Sequence, residues 1–242
     1  MSILENENRN GNFTSSNIWK LMELARDGES FGKPAITYIQ EKAWERKLKR
    51  SVETGGDSKE TIWGKFLEPF VHDLLTTDYV HSNDETLTHP EISYWKGSPD
   101  FINNKHSVVS DSKCPQPKSF CKLVDSCIKG VSSFKDDFPE YYWQLVSNAC
   151  ITNSKQIEMI VYMPYERDLK EIRYAADNYD GLDQYKYRFI SELPWYNLAC
   201  LPNDSGYKDL NMFRFEPIDG DKAKLKTKVI KANELLLTLL NG

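Results

Sequence analysis

The sequence predicts a mixed α/β fold with a central β-sheet flanked by helices. Three observations point there. Several segments carry apolar residues at helical spacing, and Trp63, Phe66, Leu67, Phe70, Val71, Leu74 and Leu75 do so most regularly. Short alternating or β-branched runs, such as "EISYWKG" and "QIEMIVYMP", read as strands. The two kinds follow one another as helices, three strands, a helix, a strand and a final helical region.

In order, Thr14, Ser15 and Ser16 offer N-caps to a helix over "NIWKLMELARDG", with Gly28 as its stop. "AITYIQEKAWERKLKRSV" reads as a second helix and "ETGGDSKE" as a loop. "TIWGKFLEPFVHDLLTTDYV" is the third helix, weakened at Pro69. Gly64 there costs about 1 kcal/mol relative to alanine, so it calls for a reason, such as room for a metal, a phosphate or a close backbone. "EISYWKG" is a strand, and "DFI" and "HSVVSDSK" form a hairpin about "NNK". "DDFPEYYWQLVSNACITN" is a helix, "QIEMIVYMP" a strand, and "AKLKTKVIKANELLLTLLNG" a C-terminal helix after a less regular tail. With no evident linker, residues 1–242 are expected to form one domain.

Composition narrows the function. The 242 residues are 40% hydrophobic and 12% aromatic, enough for a folded core. No run approaches the roughly 18 apolar residues of a membrane helix. The polar start "MSILENENRNGNF" does not resemble a signal peptide, so a cytoplasmic location is expected. Five cysteines without a CxxC spacing read as reduced thiols. A net charge of −5 excludes a generally basic nucleic-acid coat, but not a nucleic-acid enzyme with an acidic metal site. His72, His81, His89 and His106 lack metal-binding spacing and read as structural, and neither a GxSxG elbow nor a Walker loop is present.

The chemistry concentrates at "GSPDFINNKHSVVSDSK". Strand alternation places Asp111 and Lys113 on one face, and the hairpin returns Asp100 near the level of Val109 to Asp111. Two carboxylates and an ammonium then meet at one sheet edge. Carboxylates suit Mg²⁺ or Mn²⁺, which would offset their repulsion and activate a water. Lys113 could orient that water or stabilise charge on a phosphate. Glu68, at the margin of its helix's apolar stripe, is a third acid. Gln144 heads a polar stripe with Ser147 and Asn148. The bland alternatives are a turn aspartate, an exposed strand salt bridge, a solvated carboxylate and a surface amide. For Tyr141, Tyr142 and Trp143 a core role stands against base stacking. For Lys222, Lys224, Lys226 and Lys228, solvation stands against tracking of phosphates.

"SPD", ten residues and then "DSK" is the pattern of the PD-(D/E)XK nucleases. Five stretches in order, "FTSSNIWKL", "WGKFLEPFVHDLL", "GSPDFI", "SDSKCP" and "YYWQLVSNACIT", resemble the lambda-exonuclease (YqaJ-type) phage recombination nucleases. They place the motif-bearing core at about residues 13–163, with 164–242 as a C-terminal extension. The resemblance implies a restriction-endonuclease-like core, with Asp100, Asp111 and the Ser112 carbonyl as metal ligands. It makes Lys113 the catalytic lysine, Glu68 a further acid that also reaches the metal, and Gln144 a site residue. It implies a pair of Mg²⁺ or Mn²⁺ ions and 5′ to 3′ digestion of linear double-stranded DNA. It also implies a ring-shaped trimer, a single-strand annealing partner and, for a phage protein, the host cytoplasm. Ser16, Arg26 and Arg46 are the candidates for DNA contact, none of them a secure match for the arginine that grips the 5′-phosphate. Asp111 stands where glutamate is commoner. The alternatives are another PD-(D/E)XK enzyme, restriction-like or RecB-like, and a non-catalytic DNA-binding protein on the same fold.

Overall fold

The computed structural model describes residues 9–52, 56–82, 85–181 and 184–241. The polar start at 1–8, part of the loop at 53–60 and the last residue of the expected C-terminal helix lie outside them.

The chain enters through β1 (Phe13–Thr14) and a 3₁₀ helix, Ser15–Met22. The expected α-helix to residue 28 does not form. Its would-be caps are drawn into tertiary bonds instead: Ser15 Oγ meets Ser147 Oγ at 2.7 Å, and the Thr14 N–H donates to the Tyr38 hydroxyl at 2.9 Å. Helix α1 spans Lys33–Leu48 and closes on Lys49 in the left-handed region. Helix α2 spans Lys59–Leu74, capped by the Ser58 hydroxyl, which accepts from the Thr61 N–H at 3.2 Å. It buries Trp63, Phe66, Leu67 and Val71, four of the stripe's residues.

Strands β2 (Val80–His81), β3 (Leu87–His89), β4 (Ile92–Gly97), β5 (Phe101–Asn103) and β6 (Val108–Lys113) follow. The turn between β5 and β6 lies at residues 104–107, one place later than "NNK". The Asn103 side chain accepts from the His106 N–H at 3.1 Å, and Ser107 takes φ 54°.

Helices α3 (Pro117–Lys129), α4 (Val131–Asp137) and α5 (Pro139–Thr152) then cross back to β7, Gln156–Tyr162. The helix expected in 136–153 forms as α5, but the two aspartates expected to cap it end α4 instead. Pro139 disfavours the α conformation at the residue before it, and Phe138 breaks out at φ −137°, ψ 61°. The tail is more regular than expected, with α6 (Leu169–Asp177), α7 (Gln184–Glu192) and β8 (Leu210–Phe215), and the expected C-terminal helix forms as α8 (Asp221–Asn241).

Two sheets result. One has the order β1-β4-β3. The other, five-stranded and mixed, has the order β2-β5-β6-β7-β8. Only the β6–β7 pair in it is parallel, and the three helices of the crossover make that pairing possible. Val108, Val109, Ile157, Met159, Ile160 and Val161 of β6 and β7 are buried to within 1% of completely, so this pair is the floor of the core.

Candidate active site at the end of β6

The end of β6 carries Asp111, Ser112 and Lys113. Asp111 is completely buried. One of its oxygens is ion-paired with the Lys113 ammonium, two residues on and on the same strand face. The other accepts a 2.7 Å hydrogen bond from Gln144 Nε2 of α5. Pairing of Phe101 with Ser110 across the hairpin sets Asp100 beside this strand end. Asp100 Oδ2 accepts from the Ser112 N–H at 2.6 Å and from the Ser112 hydroxyl at 2.8 Å. The structure thus brings Asp100, Asp111, Ser112, Lys113 and Gln144 together.

Glu68, on α2, is the more peripheral acid. Its Oε1 accepts a 2.8 Å hydrogen bond from His81 Nε2 of β2. The His81 ring meets Phe101 edge-on at 5.3 Å, while His72 stacks on the same phenyl ring. His81 is a residue that sequence spacing alone missed, since its contact with Glu68 arises only when β2 pairs with β5.

Electrostatics mark the cluster. Burial, then the neighbouring charge of Asp100 and a smaller effect of Glu68, pushes the Asp111 carboxyl up to about 7 against the pull of Lys113. Burial alone would lower the Lys113 ammonium, but Asp111 and Asp100 overcome it and hold the group above its ordinary range. Lys113 also lies over the Tyr141 ring, 5.3 Å from its centroid. Tyr142 and Trp143, by contrast, are core residues.

These residues fit a hard divalent cation. Their donors are carboxylate and carbonyl oxygens, and the burial and Asp100 charge that raise Asp111 are what such an ion would offset. Among the described residues no three His, Cys, Asp or Glu side chains converge as a closed cage. The two carboxylates and the carbonyl present here suit Mg²⁺, which keeps several of its waters.

Two glycines contrast, Gly64 in open space and Gly97 in a tight contact. A Cβ at Gly64 would meet nothing within 4 Å, so no close backbone explains it. A Cβ at Gly97 would collide with Ser15 Oγ and Asn148 Oδ1. Glycine there lets β4 lie against α5 just before the Ser98-Pro99-Asp100 turn. Asn148 is fully buried, and its two side-chain polar atoms lack protein partners.

The candidates for DNA contact lie apart from this cluster in their bonding. Ser16 Oγ sits 3.4 Å from Thr14 Oγ1 and accepts from Arg9 at 3.5 Å. Arg26 is exposed in a turn. Arg46 donates to the Gly11 carbonyl at 2.8 Å and to Asn233 Oδ1 at 3.1 Å, tying α1 to α8. Lys222 and Lys226 are likewise engaged, with the Ser154 carbonyl and Glu91.

The fold is similar to that of LHK-Exo, an alkaline exonuclease from Laribacter hongkongensis. In two crystal structures, one of them in complex with dAMP, the TM-score is 0.65 at 16% identity, over 99% of this chain and 95% of that one. A phage-related exonuclease from Haemophilus somnus 129PT is similar at a TM-score of 0.61 and 16% identity, over 95% of each chain. Among curated proteins none matches the chain. The model of the YqaJ-like viral recombinase domain matches residues 6–155, a span that holds Glu68, Asp100, Asp111, Lys113 and Gln144. The chain belongs to the YqaJ-like viral recombinase family.

Proposed function

We propose that the chain is a phage-type DNA exonuclease, and that it hydrolyses phosphodiesters of linear double-stranded DNA with the help of Mg²⁺ or Mn²⁺. The observation that carries this reading is the buried Asp111, clamped by Lys113 and Gln144, with Asp100 beside it.

In this mechanism Asp100, Asp111 and the Ser112 carbonyl would hold the ion, with Glu68 as a further acid. Bound there, it would supply an activated water and charge compensation at the phosphate. Lys113, kept protonated by Asp111 and Asp100, acts as a donor to the developing phosphate charge rather than as a base. Gln144 orients the Asp111 carboxylate through its amide. His81 does the same for Glu68.

The reading includes 5′ to 3′ polarity, a ring of three copies and a single-strand annealing partner, which rest on the motif resemblance. It also treats residues 164–242 as part of one nuclease domain. Strand β8 pairs with β7 along six residues, and α8 is tied to α1 through Arg46, which supports this. No described helix is long and apolar enough to cross a membrane.

The test is digestion of linear and closed circular duplex DNA with Mg²⁺, beside an Asp111→Ala variant. Loss of linear duplex only, by the parent only, is expected. Survival of linear duplex, or equal activity of the variant, refutes the nuclease reading. Cleavage of circles would point to an endonuclease. End-labelled duplexes report polarity.

A further inference from the structure

Helix α5 meets the end of β6 twice. Gln144 bonds to Asp111, and Tyr141, one turn earlier on the same helix face, lies against Lys113. The Lys113 ammonium stands over the Tyr141 ring, 5.3 Å from its centroid. One helix therefore meets both members of the ion pair, from positions three residues apart.

The Tyr141 ring has its own support. The ring of Phe138, three residues earlier again, lies within 6° of parallel to it, with centroids 5.8 Å apart. Phe138 is buried and stands at the break between α4 and α5. Its ring in turn carries the Lys122 ammonium, 5.0 Å from the centroid. The partly buried Tyr141 is thus set in a row of two cations and two rings. A ring already engaged by an ammonium and a phenyl group offers little free face to a DNA base.

Lys113 has a use for such a contact. Lysine ends a flexible four-carbon stem, and its ammonium is a compact charge with three donors. The ion pair with Asp111 restrains it from one direction only. A ring face attracts a cation through its quadrupole and, unlike a second carboxylate, leaves the net charge available to a phosphate. The Lys113 side chain remains 24% exposed, so its remaining donors stay open to a ligand.

We propose that Tyr141 is the positioning residue for Lys113, its ring face holding the ammonium beside Asp111, in place for charge that develops on the phosphate. The consequence for cleavage rests on the nuclease reading, whereas the contact itself can be read without DNA.

The experiment has two arms. In the first, NMR spectra of the full chain labelled with ¹³C-lysine are recorded without metal or DNA. The Lys113 ε-methylene signal, identified by its loss in Lys113→Met, should lie upfield of solvent-exposed lysines through the ring current of Tyr141. Tyr141→Leu should return it to the common position, and Tyr141→Phe should keep it displaced. In the second arm, single-turnover cleavage of linear duplex is followed with Mg²⁺ and saturating enzyme. Tyr141→Leu should slow it by about 5- to 30-fold, the worth of a partly desolvated cation–π contact. Tyr141→Phe, which keeps the ring, should recover most of that loss. DNA affinity, read by fluorescence anisotropy, should stay within about twofold of the parent in both. In a Lys113→Met background Tyr141→Leu should cost nothing further, whereas a general folding defect would persist there. A Lys113 signal that is not displaced, or that stays displaced in Tyr141→Leu, overturns the contact. Parental cleavage by Tyr141→Leu, an equal loss in Tyr141→Phe, a matching loss of DNA affinity, or an undiminished effect in the Lys113→Met background overturns the positioning role. A parent that shows the displaced signal and cleaves no DNA sinks the nuclease reading and leaves the contact standing.

Discussion

Gln144 Nε2 donates a 2.7 Å hydrogen bond to Asp111 Oδ1, so the middle of α5 fixes the carboxylate at the end of β6. The other oxygen of that carboxylate belongs to Lys113. A buried charge is thereby held from two sides by groups 33 residues and two residues away in sequence.

Gln144→Ala removes one of these supports. Loss of such a bond costs about 1–3 kcal/mol where a buried partner is left unsatisfied. Divalent-metal affinity should fall about 10- to 100-fold, as for other groups that orient a ligand. Mn²⁺ titration of the variant and parent measures this, and Gln144→Glu, which sets a second charge against Asp111, should be worse than alanine.

Lys113→Met leaves the buried Asp111 charge without its ion pair. Cleavage of linear duplex should fall by about 10²- to 10³-fold, the usual cost of losing one donor to developing charge. DNA binding should survive. A fluorescence-anisotropy assay beside single-turnover cleavage separates the two effects, and parent-like cleavage would remove Lys113 from the mechanism.

The raised Asp111 carboxyl makes a pH prediction. Its ordinary value is 3.8 and its folded value about 7, so between those limits the metal-free folded state holds a proton that the unfolded chain releases. Stability of the metal-free protein therefore falls as pH rises from about 4 to about 7. Asp111→Asn should flatten that slope in denaturant titrations. A divalent ion must displace the same proton, so Mn²⁺ affinity should rise with pH up to about 7 and then level.

Gly97→Ala places a Cβ against Ser15 Oγ and Asn148 Oδ1. Overpacking of this kind costs about 1–3 kcal/mol. A lower urea midpoint is expected, together with weaker metal binding, because the next three residues lead to Asp100. Gly64→Ala, with open space around it, should instead gain helix stability of up to about 1 kcal/mol.

Arg46→Ala separates a structural role from DNA contact. Its guanidinium bridges Gly11 and Asn233. The variant should lose about 1–3 kcal/mol of stability. The salt dependence of DNA binding should not change. A shallower salt slope would instead assign Arg46 to a phosphate contact.

Much of the candidate site was legible because it is local. The period of two along β6 places Asp111 and Lys113 together, and a short hairpin returns Asp100 to Ser112. The stripe of α2 was equally plain. Other elements left signals that went unread. Phe120, Leu123, Val124 and Cys127 repeat at helical spacing across α3, and "LNMFRF" alternates along β8. The break at Phe138 was written in Pro139.

The sequence by itself determined the mixed α/β class, the acids and lysine of the hairpin, and the helix that carries Glu68. Each depends on periodicities of two and 3.6 residues or on contacts a few residues apart. Tertiary structure alone decided the rest. It split the strands into two sheets and turned the first helix into a 3₁₀ segment by drawing its caps to Ser147 and Tyr38. It set His81 on Glu68. The physical reason is that these contacts join residues far apart in the chain. Their existence depends on how sheets and helices pack, and no local pattern encodes that distance.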